Sequence, residues 1–229
     1  MDDINLSLFN AITMIFDLDS DYLEIIILSL KISLSAVLIS CIISFPLASL
    51  LSTKDFPGKS FILIIINAFM ALPPVVVGLF LYILLSAKGI LSIYELLYTP
   101  AAMLIAQIII VTPIITALSK QSIDIYYIEY KDYLTSLKAS QINIIKTLLW
   151  ESRHMLTINS LAGLGRALAE VGAVMIVGGN IAHLTRVMTT SIVLETSRGD
   201  LSLALSLGIT LIVIAILINT LIYLLKNTD

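Results

Sequence analysis

Four stretches of this chain run without a single charged side chain, and each is long enough to cross a lipid bilayer. They lie between Lys31 and Lys54, Lys59 and Lys88, Glu95 and Lys120, and Asp200 and Lys226. A helix needs about 20 apolar residues to cross the hydrocarbon core. A fifth, weaker stretch between Gly163 and His183 contains Arg166 and Glu170. Only 13% of the 229 residues are charged and 59% are hydrophobic, whereas soluble domains average about 25% charged. The chain therefore reads as an all-α integral membrane protein with about five transmembrane helices, some of them kinked. Residues 1–23 read as an N-terminal segment ahead of the membrane, and residues 24–225 as one membrane domain.

Asp2, Asp3, Asp17, Asp19, Asp21 and Glu24 precede the first span, with no Lys or Arg before Lys31. A secretory signal needs a basic start, so this segment does not read as one. Positive charge sets the orientation. With the N-terminus outside, Lys54, Lys59, Lys120, Lys131, Lys138, Lys146, Arg153, Arg166 and Lys226 fall on the cytoplasmic side. Lys31, Lys88, Arg186 and Arg198 fall outside, which accounts for all 13 positive side chains. Nine against four fits the positive-inside rule and places the C-terminus inside.

The first span runs from about Glu24 to Leu51 and contains Pro46. The second ends near Leu85 and contains Pro73, Pro74 and Gly78. The third, about Pro100 to Leu118, contains Pro113. Proline inside a span frees a backbone carbonyl and kinks the helix. Such kinks suit either a packed bundle or the shaping and gating of a pore. In the last span, Leu201 to Leu225, Ala204 and Gly208 stand four apart, a spacing that permits close helix packing.

The stretch from Gly163 to Asp200 holds the candidate pathway residues. Arg166 and Glu170 are four apart, so on one helix they share a face. The pair reads either as a structural ion pair near the cytoplasmic end or as a gate. Gly178, Gly179 and Asn180 break the fourth helix, either as a turn at the outer membrane boundary or as exposed amides suited to an oxyanion. In the boundary reading Thr185 and Arg186 sit outside. Val187 to Thr196 is too short to span and reads as a re-entrant or surface helix. His154 and His183 are isolated, and no residues stand at metal-ligand spacing. Trp150 reads as an interfacial anchor.

Between Lys120 and Gly163 the chain is neither a short loop nor a span. Ile142, Ile145 and Leu149 recur at helical spacing with Lys146 and Glu151 between them, an amphipathic pattern. Such a face needs the membrane surface, the rest of this chain or a partner to cover it.

Asp132-Tyr133-Leu134-Thr135-Ser136-Leu137-Lys138-Ala139-Ser140 resembles the cytoplasmic loop of type-1 ABC importer permeases, which reads EAA followed by LGAS or similar. Asp132 stands in the place of the family's Glu, and Tyr133 and Leu134 replace its two alanines. Lys138 replaces its glycine. Ala71 to Gly78 resembles the LPP-x-V-x-G stretch of molybdate and tungstate permeases, and Arg166 to Ala173 their R-A-x-x-E-x-G-A signature. Ala169 and Val171, where molybdate permeases more often have glycine and phenylalanine, favour the tungstate branch. The resemblance implies the type-1 permease fold, with a coupling helix in the segment of about 120–162. It also implies ATPase-coupling roles for Asp132, Tyr133, Leu137, Lys138, Ala139 and Ser140.

It further implies the permease subunit of an ATP-driven tungstate importer in the cytoplasmic membrane, with molybdate or another tetrahedral oxyanion as the alternative cargo. The partners it implies are a second permease copy, two ABC ATPase subunits, an extracytoplasmic oxyanion-binding protein and membrane lipid, with no nucleic acid. The chain has no G-x-x-x-x-G-K-[ST] motif, so ATP and magnesium are expected on the ATPase and no cofactor on this chain. The rival from another class is an ATP-independent channel or secondary transporter, which would use Arg166 and Glu170 as an ion relay.

Overall fold

A computed structural model describes residues 11–17 and 19–226. Three helices are long and apolar enough to cross a membrane: α1 (Ser20–Thr53), α4 (Pro100–Ser136) and α9 (Leu201–Lys226). Two bent pairs bring the number of spans to as many as five. One joins α2 (Lys59–Ala71) to α3 (Pro74–Leu85) through a bend of 100°, the other α6 (Arg153–Leu168) to α7 (Gly172–Gly178) through 58°. Between these lie α5 (Gln141–Glu151) and α8 (Met188–Arg198). The protein is a multi-pass helical membrane protein.

α4 is the central helix, against which α1, α2, α3, α6 and α7 all pack. Its broadest contact is with α1. In lipid, apolar contact alone does not favour one helix partner over a hydrocarbon chain, so polar bonds and close fit set the pairing. Thr112 Oγ1 donates to Ser40 Oγ at 3.0 Å, and Thr116 Oγ1 to Ser44 Oγ at 2.9 Å. Ser44 Oγ in turn donates to the Thr112 carbonyl at 3.0 Å. Ser40 and Ser44 are fully buried. Each such interhelical bond contributes about 0.6 kcal/mol on average, and the small side chains let the two backbones approach.

Several boundaries differ from those expected. The third span does not stop near Leu118: α4 continues unbroken through Lys120 to Ser136. A salt bridge from Lys120 Nζ to Asp124 at 2.6 Å pairs charges one turn apart, which a helix tolerates well. The fourth span begins at Arg153 rather than Gly163. The expected segment of about 120–162 is thus mostly helix extending from two spans. α1 starts at Ser20, inside the expected N-terminal segment, because Asp19 accepts the Ser20 N–H as its cap. Residues 11–17 are also helical, and residues 1–10 lie outside the described part.

Pro73 and Pro74 do not kink one helix. They separate two, with Pro74 as the first residue of α3, where its missing N–H leaves no gap. Pro46 and Pro113 do lie inside continuous helices. Ala204 is buried, but a side chain at Gly208 would meet open space, so the expected small-residue contact is not made within this chain.

Two stretches singled out in the sequence meet where α3 crosses α7. A Cβ on Gly78 would lie 2.7 Å from Ala173 Cα, and one on Gly172 would lie 2.5 Å from Val75 Cγ2. Backbone, rather than a flexible side-chain tip, occupies the space beside Gly78. Gly78→Val should therefore separate the two helices and lower stability by about 1–3 kcal/mol, measured as a lower melting temperature of the detergent-solubilised protein. An unchanged melting temperature would contradict the close crossing.

Candidate functional site

The bend between α6 and α7 centres on Ala169-Glu170-Val171. Arg166 lies in the last turn of α6, and Glu170 just past that helix's end rather than on the same face as expected. The pair forms nonetheless: Arg166 Nη1 donates to Glu170 Oε2 at 2.8 Å. Glu170 Oε1 accepts the Ala173 N–H at 3.0 Å, capping α7. The Glu170 backbone carbonyl accepts from Thr189 Oγ1 at 2.7 Å, which joins the bend to the start of α8. The Glu170 side chain is 3% exposed, while that of Arg166 is 34% exposed. A buried carboxylate with both oxygens engaged reads as a fixed joint in the chain. It lies inside the broken span and not at one end of it.

α7 ends at Gly178, and the chain then reverses. Gly179 has φ +71° and its Cα faces the Tyr98 ring, leaving no room for a side chain. Asn180 is also left-handed at φ 50°. Its Oδ1 accepts from Thr190 Oγ1 at 2.9 Å. Thr185 is fully buried within the fold. Its hydroxyl donates to the Gly178 carbonyl at 2.6 Å and accepts from the Ile181 N–H at 2.9 Å, closing the turn. The Gly179 N–H donates to the Met175 carbonyl and the Thr185 N–H to the Ile181 carbonyl, both at 3.0 Å, so these two amides are engaged within the fold.

His183 is not isolated. Its Nδ1 lies 2.8 Å from Glu24 Oε2, and Asp21, Glu24 and Arg186 line the hollow beside it. The hydrogen bond and charge of Glu24, with the charge of Asp21, hold the imidazole above its ordinary value; Arg186 opposes them. The arrangement mixes both signs of charge and is a charge cluster on the surface. Among the described residues His154 is not part of such a three-residue group.

The other candidate residues gather at the opposite end of the bundle. α4 ends at Ser136, Leu137 caps it, and Lys138 adopts φ 50°. The Lys138 N–H donates to the Thr135 carbonyl at 3.0 Å and the Ala139 N–H to the Leu134 carbonyl at 3.1 Å. This paired closure with a left-handed residue is the Schellman motif, which glycine serves best. After Ser140, α5 turns back, and Gln141 Nε2 donates to Thr53 Oγ1 at 2.8 Å, fixing the loop to the end of α1. Tyr133, Leu137 and Ile142 are 63%, 59% and 63% exposed. The apolar face of α5 that packs inward carries Ile144, Leu148 and Leu149; of the expected residues Leu149 lies on it, Ile145 is half-buried and Ile142 is exposed. Trp150 is exposed, with the Arg153 guanidinium 4.8 Å above its ring.

No family model matches the chain. It is 37% identical over 217 residues to the tungstate uptake system permease protein of Peptoclostridium acidaminophilum, covering 95% of each chain. It is 34% identical over 211 residues to a probable anion ABC transporter permease protein of Haloferax volcanii, covering 90% of this chain and 91% of that one. The chain belongs to the ABC transporter permease family. A tungstate uptake system permease protein of Campylobacter jejuni is 37% identical over 174 residues, 76% of this chain and 73% of its own.

Permeases of this family are transport subunits and not enzymes. In this permease Lys138 occupies the position at which the resembled loop carries glycine, and its left-handed backbone supplies the physical reason for glycine there. The residues missed from the sequence are Gln107 and Thr189, which bond the backbone at the bend from two other helices, and Ser33, which accepts from Gln107. Gln107 as the one side-chain amide in the uncharged run between Glu95 and Lys120 was the available signal.

Two outcomes follow from this geometry. Arg166→Ala strands a buried carboxylate, so the permease should lose about 3–5 kcal/mol, and the double change Arg166→Ala with Glu170→Gln should recover a large part of it. Thermal unfolding of the single and double variants checks this; a double variant no better than the single one would contradict the pairing. Lys138→Gly relieves the left-handed strain and should gain about 1 kcal/mol, read as slower proteolysis at the 132–141 loop.

Proposed function

We propose that this chain is the membrane subunit of an ATP-driven importer that carries tungstate across the cytoplasmic membrane. Likeness to tungstate uptake permeases along nearly the whole chain carries the reading. Ala169 and Val171, both at the bend, support tungstate over molybdate as cargo. Molybdate has the same charge and shape and remains the competing cargo within this reading.

A second permease copy completes the pathway, and two ABC ATPase subunits dock on the loop from Asp132 to Ser140. Tyr133, Leu137 and Ile142 present apolar surface there without cover from this chain, which suits insertion into a partner's groove. ATP and magnesium are held by the ATPase. An oxyanion-binding protein delivers cargo at the opposite end, near His183 and Arg186, with the N-terminus outside and the C-terminus inside. ATP binding draws the two ATPases together, the loops move with them, and the bundle exchanges between two states that its ligands favour differently. Arg166 and Glu170 hold the broken span as one of the elements that must turn. Pro73 and Pro74 set the other sharp bend beside it.

The test is reconstitution with the ATPase and the binding protein, recording ATP hydrolysis and uptake of tungstate, molybdate and sulfate. Tungstate uptake that requires ATP and exceeds uptake of the other two is expected. Uptake indifferent to ATP and to the ATPase subunit would replace this reading with an autonomous channel or secondary transporter. In the same system Leu137→Glu or Ala139→Arg should reduce uptake roughly 10-fold or more, as removal of a central interface contact does. The variants should retain the melting temperature of the parent permease. Full uptake by either variant would remove the loop from the coupling path.

A further inference from the structure

Gln107, about two turns into α4, is 5% exposed. Its Nε2 donates to the Ala167 carbonyl at 3.2 Å and to Ser33 Oγ at 3.4 Å. The carbonyl partner fixes which way the amide points, because only the nitrogen can donate to it. Gln107 Oε1 is consequently aimed away from Ala167, buried and without a protein partner. An unsatisfied buried acceptor is destabilising, so the site calls for a hydrogen-bond donor.

Beside Gln107 lies a small chamber lined by Ser29, Ser33, Glu170, Met188 and Thr189. It has room for about one water molecule. A tetrahedral oxyanion is too large for it. The chemistry also disfavours an anion: the Glu170 carboxyl group lines the chamber, and Gln107 offers an acceptor. A small neutral donor with several hydroxyl neighbours satisfies both conditions.

We propose that this chamber is a hydration site holding one water, which donates to Gln107 Oε1, and that Gln107 is the residue that positions it at the bend of the broken span. The Ala167 carbonyl accepts from the Glu170 N–H at 3.2 Å as well as from Gln107. The start of α8 closes the same chamber, where the Met188 N–H donates to Ser29 Oγ at 2.8 Å. α1, α4, the bent span and α8 thus meet around one wet node. A water can exchange hydrogen-bond partners as the bend angle changes, which a fixed side chain cannot do. The site is independent of which anion is carried.

Met188 provides the probe. Both methionines are buried in apolar clusters, but Met188 also lines the chamber and Met103 does not. Hydroxyl radicals made from water by X-ray pulses oxidise a buried methionine only where water touches it. The full-length chain in lipid nanodiscs should show Met188 sulfoxide at several times the yield of Met103. Gln107→Leu should bring Met188 down to the level of Met103. Equal protection of the two methionines in the parent protein, or unchanged Met188 oxidation in Gln107→Leu, would overturn the proposal. Should Gln107→Leu fail to fold, the ratio of Met188 to Met103 in the parent protein decides alone. Because no transport is measured, a negative result leaves the importer reading untouched.

Discussion

A helix in lipid gains little by exchanging hydrocarbon for another helix's leucines. The pairing of α1 with α4 therefore depends on what lipid cannot offer. Serine and threonine hydroxyls from Ser40, Ser44, Thr112 and Thr116 bond across the seam, and their small size lets the backbones come close. Two other parts of the fold are tied directly to this pair. The bent α6–α7 span leans on it through Gln107 and Ala167, and α5 is held to its end through Gln141 and Thr53. α9 is the least buried of the three long helices at 22%, against 50% for α4, and lies outermost.

The bend at Ala169–Val171 is held from every side by polar bonds made inside a low-dielectric setting. Glu170 closes two of them with its carboxylate oxygens and one with its carbonyl. Where α3 crosses α7, Gly78 and Gly172 remove side chains so that backbone meets backbone. The two sharpest bends of the fold are thereby packed against each other. A change of angle at one cannot be absorbed by slack at the other, since a close-packed contact of this kind shifts between arrangements and does not stretch.

Uncharged runs revealed where the spans are, because the absence of charge over about 20 residues has few explanations other than lipid. Charge was a poor guide to where helices end. Lys120 and Asp124 neutralise each other one turn apart, so α4 passes through them. The reversal after Gly178 was legible because only glycine and asparagine adopt its left-handed backbone readily. That Thr185 closes this turn was not legible, because a buried threonine and an exposed one look alike in sequence and the Gly178 carbonyl that it meets is set by the fold. His183 found its carboxylates across 159 positions of sequence, a distance no local pattern encodes. Lys138 is the reverse case, a departure from a family pattern whose backbone geometry is retained without the residue that best fits it.

α4 joins the loop at one end of the bundle to the turn at the other without interruption. Its 37 residues make a rod of roughly 55 Å. Both the apolar tip at Tyr133 and Leu137 and the amide of Gln107 are mounted on that rod. A tilt of a few degrees imposed at the tip reaches the far end as a displacement of several ångströms, with Pro113 the one internal proline at which the rod can give. The gearing ratio between the two faces of the membrane is therefore written in the length of one helix and in where along it the fulcrum lies.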